Sequence, residues 1–171
     1  MRDLANKIAD KTIREKTLIA IDNLPDYFWT MAGSTTGKYH PSFSLGEGGL
    51  FRHTKFAVEI AIELFNISKF DQTEKDCIIS ALLLHDGMKC GSNGKHTDKL
   101  HPIIMKEFLN ELWKDWDSVN KDVILNCIAS HMGKWNEKGS LPTPSNEIEE
   151  FVHKCDYLGS RKLYDRYYNI K

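Results

Sequence analysis

The sequence predicts an all-α fold, and three observations carry that prediction. Apolar residues recur at helical spacing through most of the chain. The run at 77–84 is apolar all round, as a helix at the centre of a bundle must be. No segment alternates convincingly as a strand does, and neither a heptad array nor an internal repeat is present.

Local signals place each element. Residues 2–23 carry a loose amphipathic pattern that stops at Asn23-Leu24-Pro25. The aromatic stretch 27–31 is expected to pack on the core. Residues 32–49 hold Gly33, Gly37, Gly46, Gly48 and Gly49 and read as a long loop, a feature that is often functional in a compact domain. A helix over 50–66 sets Phe56, Ile60 and Leu64 on one side. The next begins near Asp71 or Thr73 and ends at His85-Asp86, stopped by Gly87. After a glycine-containing loop at 87–100, Pro102 suits the first turn of a helix running to about Trp116. Ser118 can cap a helix ending near His131, and Ser145 can cap the last long helix, through Tyr168.

A chain of 171 residues fits a single domain, and 41% hydrophobic with 27% charged residues is ordinary globular composition. The formal net charge of -1, with signs mixed throughout, excludes an extended nucleic-acid surface but not a local basic pocket for a small phosphate. The charged N-terminal segment lacks the apolar core of a signal peptide, and no apolar run is long enough to span a bilayer, so no membrane partner is expected. Cys77, Cys90, Cys127 and Cys155 form no C-x-x-C pair, which points to free thiols in a reducing, cytoplasmic setting. Tyr164, Tyr167 and Tyr168 leave room for a dimer, and the oligomeric state stays open.

Several polar residues lie on the apolar stripe of their own helix. His53 shares a stripe with Phe56, Ala57 and Ile60, and His85 with Ile78, Ala81 and Leu82. His101 precedes Ile104 and Phe108, His131 follows Ile124, Cys127 and Ile128, and Asp156 shares a face with Ile148, Val152 and Gly159. Taken singly, a histidine on an apolar face is more often a hydrogen-bonded core residue than a ligand. Together these residues ask for a compensating charge, and a bundle can gather imidazoles and carboxylates around one or two metals. Asp86, beside His85, adds a further candidate. Imidazole and carboxylate without thiolate suit Fe, Mn, Zn, Ni or Co. A divalent ion of this kind acidifies water at an open coordination position to a pKa of about 7. Neither a P-loop nor a strand-to-helix nucleophile elbow is present.

The order His53, then His85-Asp86, then Asp156 resembles the H…HD…D signature of the HD superfamily. The segments GGLFRHTKFAVEIA, ALLLHDGMK, ASHMGKW and CDYLGSRK, with the His101-Pro102 pair, occupy the corresponding order over roughly 48–162. KYHPSFSLGEGGLFRHT is also similar to HD domains attached to bacterial exoribonucleases. The resemblance implies an HD-domain helical bundle with a metal site in its core, the N-terminal helix and loop (1–47) packed on it, all within one domain spanning 1–171. It implies metal-dependent phosphomonoesterase or phosphodiesterase activity, often on nucleotides. By the same resemblance His53, His85, Asp86 and Asp156 match the ligands of one-metal members. His101 and His131 match the further ligands of two-metal members, in which Asp86 bridges, and two ions are the favoured number.

Asp86 and Lys89, the lysine of the HDxxK pattern, are the expected catalytic residues. Lys134, Arg161, Lys38, Tyr39 and His40 are candidates for substrate binding, with Tyr39 placed to stack on a base. A small phosphorylated partner, a nucleotide or short oligonucleotide, is expected. His96 is an alternative to His101 as a ligand, and His153 is expected to make an ordinary hydrogen bond. No GYP-type extension follows, so cyclic-di-GMP is not expected as substrate. A diadenosine polyphosphate hydrolase, a di-iron oxygenase and a non-catalytic nucleotide-binding domain are the other functions the pattern admits.

Overall fold

The computed structural model describes residues 1–34, 37–91, 94, 96–133 and 139–168, apart from the side chains of 164, 167 and 168. In chain order the helices are α1 (Arg2–Ala5), α2 (Lys11–Asp22), α3 (Tyr27–Thr30), α4 (Gly49–Leu64), α5 (Gln72–Leu84), α6 (His101–Leu112), α7 (Val119–Ser130), α8 (Glu147–Gly159) and α9 (Leu163–Tyr168). Short 3-10 turns lie at Ser42–Ser44 and Phe65–Ile67. The described residues contain no strand, so the fold is all-α. None of their helices is long and apolar enough to cross a membrane.

α5 is the axis of the bundle, and its residues from Asp76 to Leu84 are all buried. It begins with a capping box: the Asp71 carboxylate accepts from Glu74 N–H while the Glu74 side chain accepts from Asp71 N–H. α2, α4, α7 and α8 pack around it, α4 also lies against α8, and α6 lies on α7. One hydrophobic cluster runs from Met1 to Cys155 and includes the fully buried Phe28, Leu50, Leu82, Met105 and Trp113.

The N-terminal segment departs from the single helix that its periodicity suggests. The chain breaks after α1, and the N–H groups of Ala9 and Asp10 donate to the buried Asp76 carboxylate at 3.0 and 2.7 Å. Asp10 then caps α2 by accepting from Ile13 N–H at 2.8 Å. Asp76 sits on an otherwise apolar helix because it satisfies this break.

The C-terminal boundary also differs. Asn146, rather than Ser145, caps α8, its side-chain oxygen accepting from Glu149 N–H at 3.0 Å. Ser145 donates instead, through N–H and hydroxyl, to the buried Glu149 carboxylate. The expected long helix stops at Gly159, where Ser160 N–H turns back to the Asp156 carbonyl, and α9 starts afresh.

The described part of the loop before α4 is tied down at several points. Gly33 N–H donates to the Ser44 carbonyl and Gly48 N–H to the Thr30 carbonyl, both at 2.8 Å. Arg52 donates to the carbonyls of Phe43 and Leu45. Gly49 has to be glycine, because a Cβ there would stand 2.1 Å from the Ser44 carbonyl oxygen.

Candidate metal centre

Three histidines reach the centre by one local device. His85 closes α5, His131 closes α7, and His101 opens α6. Each has Nδ1 at 2.7 Å from a carbonyl three residues back, on Leu82, Ile128 and Asp98 respectively. A carbonyl oxygen only accepts, so Nδ1 carries the hydrogen and Nε2 presents its lone pair inward. This is the arrangement that orients a histidine for a metal. His53 comes from the buried face of α4 and Asp156 from α8.

Asp86 stands among them with its two oxygens facing different ways. Oδ1 lies 3.1 Å from His101 Nε2 and 3.8 Å from His131 Nε2. Oδ2 lies 3.6 Å from His85 Nε2, 3.9 Å from His53 Nε2 and 2.5 Å from Lys89 Nζ. Asp156 Oδ1 joins the second side, 2.9 Å from His53 Nε2 and 3.5 Å from His85 Nε2. Asp86 and the four histidines are buried, and Asp156 is only partly exposed.

The electrostatics follow from burial opposed by charge. Burial pushes Asp86 upward, yet Lys89, His85 and His101 outweigh it and hold the carboxyl well below its usual range. The same contest at Asp156, with His53 and His85 as partners, ends the same way. Burial depresses His85, but the neighbouring Asp86 and Asp156 reverse this and raise its pKa. At His131 the two carboxylates are outweighed: burial, with His85 and His101 nearby, pushes it down to about 3. Its Nε2 is therefore unprotonated at neutral pH.

Two observations show that these residues fit a metal. His85 Nε2 is buried with no hydrogen-bond partner, although such atoms are nearly always satisfied. The Nε2 atoms of His101 and His131 stand 3.2 Å apart. With both Nδ1 positions protonated, these are two lone pairs that a proton or cation must separate. Three overlapping sets offer ligand atoms within 4.8 Å of one another: His53, His85 and Asp86; His85, His131 and Asp156; Asp86, His101 and His131. The donors are imidazole and carboxylate, a set that suits divalent transition metals.

A cavity of about 340 Å³ opens onto the cluster. Lys89 lines it, directed there by the turn after Asp86. Gly87 permits that turn, since a Cβ would stand 2.6 Å from Leu24 Cδ2 and 2.9 Å from Met105 Cε. His40 lines it too, its ring edge-on to His53 at 5.6 Å between centroids. Burial first, then Lys89, pushes the His40 pKa down to about 4, and its Nδ1 is buried without a hydrogen-bond partner. Tyr39 and Arg161 lie on the cavity wall, and Lys38 places Nζ 5.1 Å over the Tyr39 ring. Lys134 lies outside the described residues.

His96 is exposed and belongs to none of the three sets, leaving His101 as the histidine of that loop at the centre. His153 donates from Nδ1 to the His131 carbonyl at 2.7 Å, an ordinary hydrogen bond that pins the end of α7. Ser34, from the glycine-rich loop read as functional, also lines the cavity, as do Thr97, Met132, Tyr157 and Ser160, which the sequence did not single out. Ser160, one turn beyond Asp156, had a positional signal. The other loop residues had none, because tertiary packing alone brings them there.

The HD domain family model matches residues 50–160, a span that begins just before His53 and closes just after Asp156. No curated protein and no solved structure matches the chain. With the helical bundle, the ordered His and Asp residues and this match agreeing, the chain belongs to the HD domain family.

Proposed function

We propose that this chain is a phosphohydrolase that cleaves a phosphoester of a nucleotide or short oligonucleotide, using two divalent ions. HD domains bind divalent metals and are mostly hydrolases, which supports the general class. One observation carries the finer reading: the Asp86 carboxylate divides its oxygens between His53–His85 on one side and His101–His131 on the other. In this reading Asp86 belongs to both half-sites, and Asp156 completes the first. The ions supply Lewis acidity toward a phosphoryl oxygen and acidify a water for attack.

The chain's own residues do the rest. His85, His101 and His131 are held by backbone carbonyls, so ligand orientation costs no rearrangement when substrate arrives. Lys89 is paired with Asp86 and faces the cavity, where its ammonium meets charge developing on the phosphoryl oxygens. The cluster is buried at the foot of the cavity, and that burial strengthens these charges. The free, buried thiols fit a cytoplasmic setting.

The test is phosphate or nucleoside release from a nucleotide panel by the full chain loaded with Mn²⁺. We expect turnover that EDTA removes, that Mn²⁺ restores, and that Asp86→Ala abolishes. Metal-loaded protein with all six ligands intact and no turnover on any member of the panel would contradict the proposal.

A further inference from the structure

The mouth of the cavity is built from two segments far apart in sequence. Tyr39 comes from the loop before α4, and Arg161 from the turn after α8. The Arg161 guanidinium lies over both flanking rings, 5.5 Å from the Tyr39 centroid and 4.6 Å from that of Tyr157. All three residues line the same cavity as the metal cluster. Tyr39 is 53% exposed, unlike the core aromatics Phe28 and Trp113, which are fully buried. A ring kept for packing would be covered; this one is half exposed, with Lys38 Nζ and Arg161 near it.

The two segments are fastened to each other. Ser42 donates from its N–H and its hydroxyl to the Asp165 carboxylate of α9, at 2.8 and 3.0 Å. Arg161 Nε and Nη2 both donate to Ser160 Oγ at 3.3 Å. Tyr39 and Arg161 therefore meet in a braced arrangement, and a ligand need not order them first. Between this mouth and His53 lies His40, whose Nδ1 is buried and lacks a hydrogen-bond partner.

We infer that Tyr39, Arg161 and Tyr157 form a stacking platform for a nucleobase, with the phosphate lying toward Lys89. Both tyrosine rings and the guanidinium are planar surfaces on which a base can stack, whatever its identity. A cavity of about 340 Å³ is large enough for a single nucleotide. The direction of the bound molecule rests on the phosphohydrolase reading; the platform does not.

The experiment measures binding of adenosine 5′-monophosphate by equilibrium dialysis, to the full chain with Mn²⁺ and after EDTA. Steady-state kinetics on the same nucleotide and on methyl phosphate accompany it. Tyr39→Ala is expected to raise Kd and KM for the nucleotide about tenfold, the scale of one lost base stack. Its kcat should stay within about twofold, because stacking acts on bound substrate and transition state alike. Tyr39→Phe should bind as the parent does. The platform is overturned if the nucleotide fails to bind, if Tyr39→Ala binds it normally, or if methyl phosphate suffers the same rise in KM. Nucleotide binding that depends on Tyr39, with no turnover, would retain the platform and remove the hydrolase reading. Turnover without any preference for the nucleotide would do the reverse.

Discussion

Asp86 touches five cationic or potentially cationic side chains through two oxygens, and Lys89 is the nearest of them. Its ammonium holds the carboxylate ionised while facing the cavity. Lys89→Gln keeps a polar side chain of similar length and removes the charge. It is expected to lower kcat by about 10²-fold, the usual loss for one transition-state donor, with metal content unchanged by elemental analysis. An unchanged kcat would remove Lys89 from the chemistry. At this scale the sequence was highly legible for His53, His85, His101, His131 and Asp156, because a polar residue on an apolar stripe is costly and therefore conspicuous. It could not show which oxygen of Asp86 faces which histidine pair. That depends on how four helices meet.

Among the elements, the helices with strong caps were readable: Asp71 and Ser118 both cap as their positions suggest. Two of the misread boundaries share one cause, which is a carboxylate that recruits backbone or hydroxyl donors from outside its own element. Glu149 draws Ser145 away from the capping role, and Asp76 splits the N-terminal helix. Asp76→Ala would leave the N–H groups of Ala9 and Asp10 and the side-chain amide of Gln72 without their acceptor. The expected cost is about 1–3 kcal/mol, read as a fall in Tm of roughly 2–4 °C per kcal/mol. Metal content should be retained, because the cluster lies at the other end of α5. Undiminished Tm would mean that the break after α1 does not depend on Asp76.

The whole molecule uses a bundle to bring two helix C-termini, one helix N-terminus and two helix faces to a common point. The net charge of -1 conceals this, since the charges that matter are buried and locally balanced. The all-α class and the centre's membership were legible in periodicity and spacing. The cavity mouth was only half legible: Tyr39 stood out, whereas its pairing with Arg161 and Tyr157 required the loop to fold back across the end of α8. Asp165, which ties that loop through Ser42, carried no signal at all.

The central claim is that Asp86 joins two half-sites. Anomalous scattering from crystals of the full chain loaded with Mn²⁺ tests it directly. Two peaks are predicted, one among His53, His85 and Asp156 and one beside His101 and His131, with an oxygen of Asp86 on each. Absence of bound metal, or a single peak that leaves His101 and His131 without a ligand role, would contradict the account.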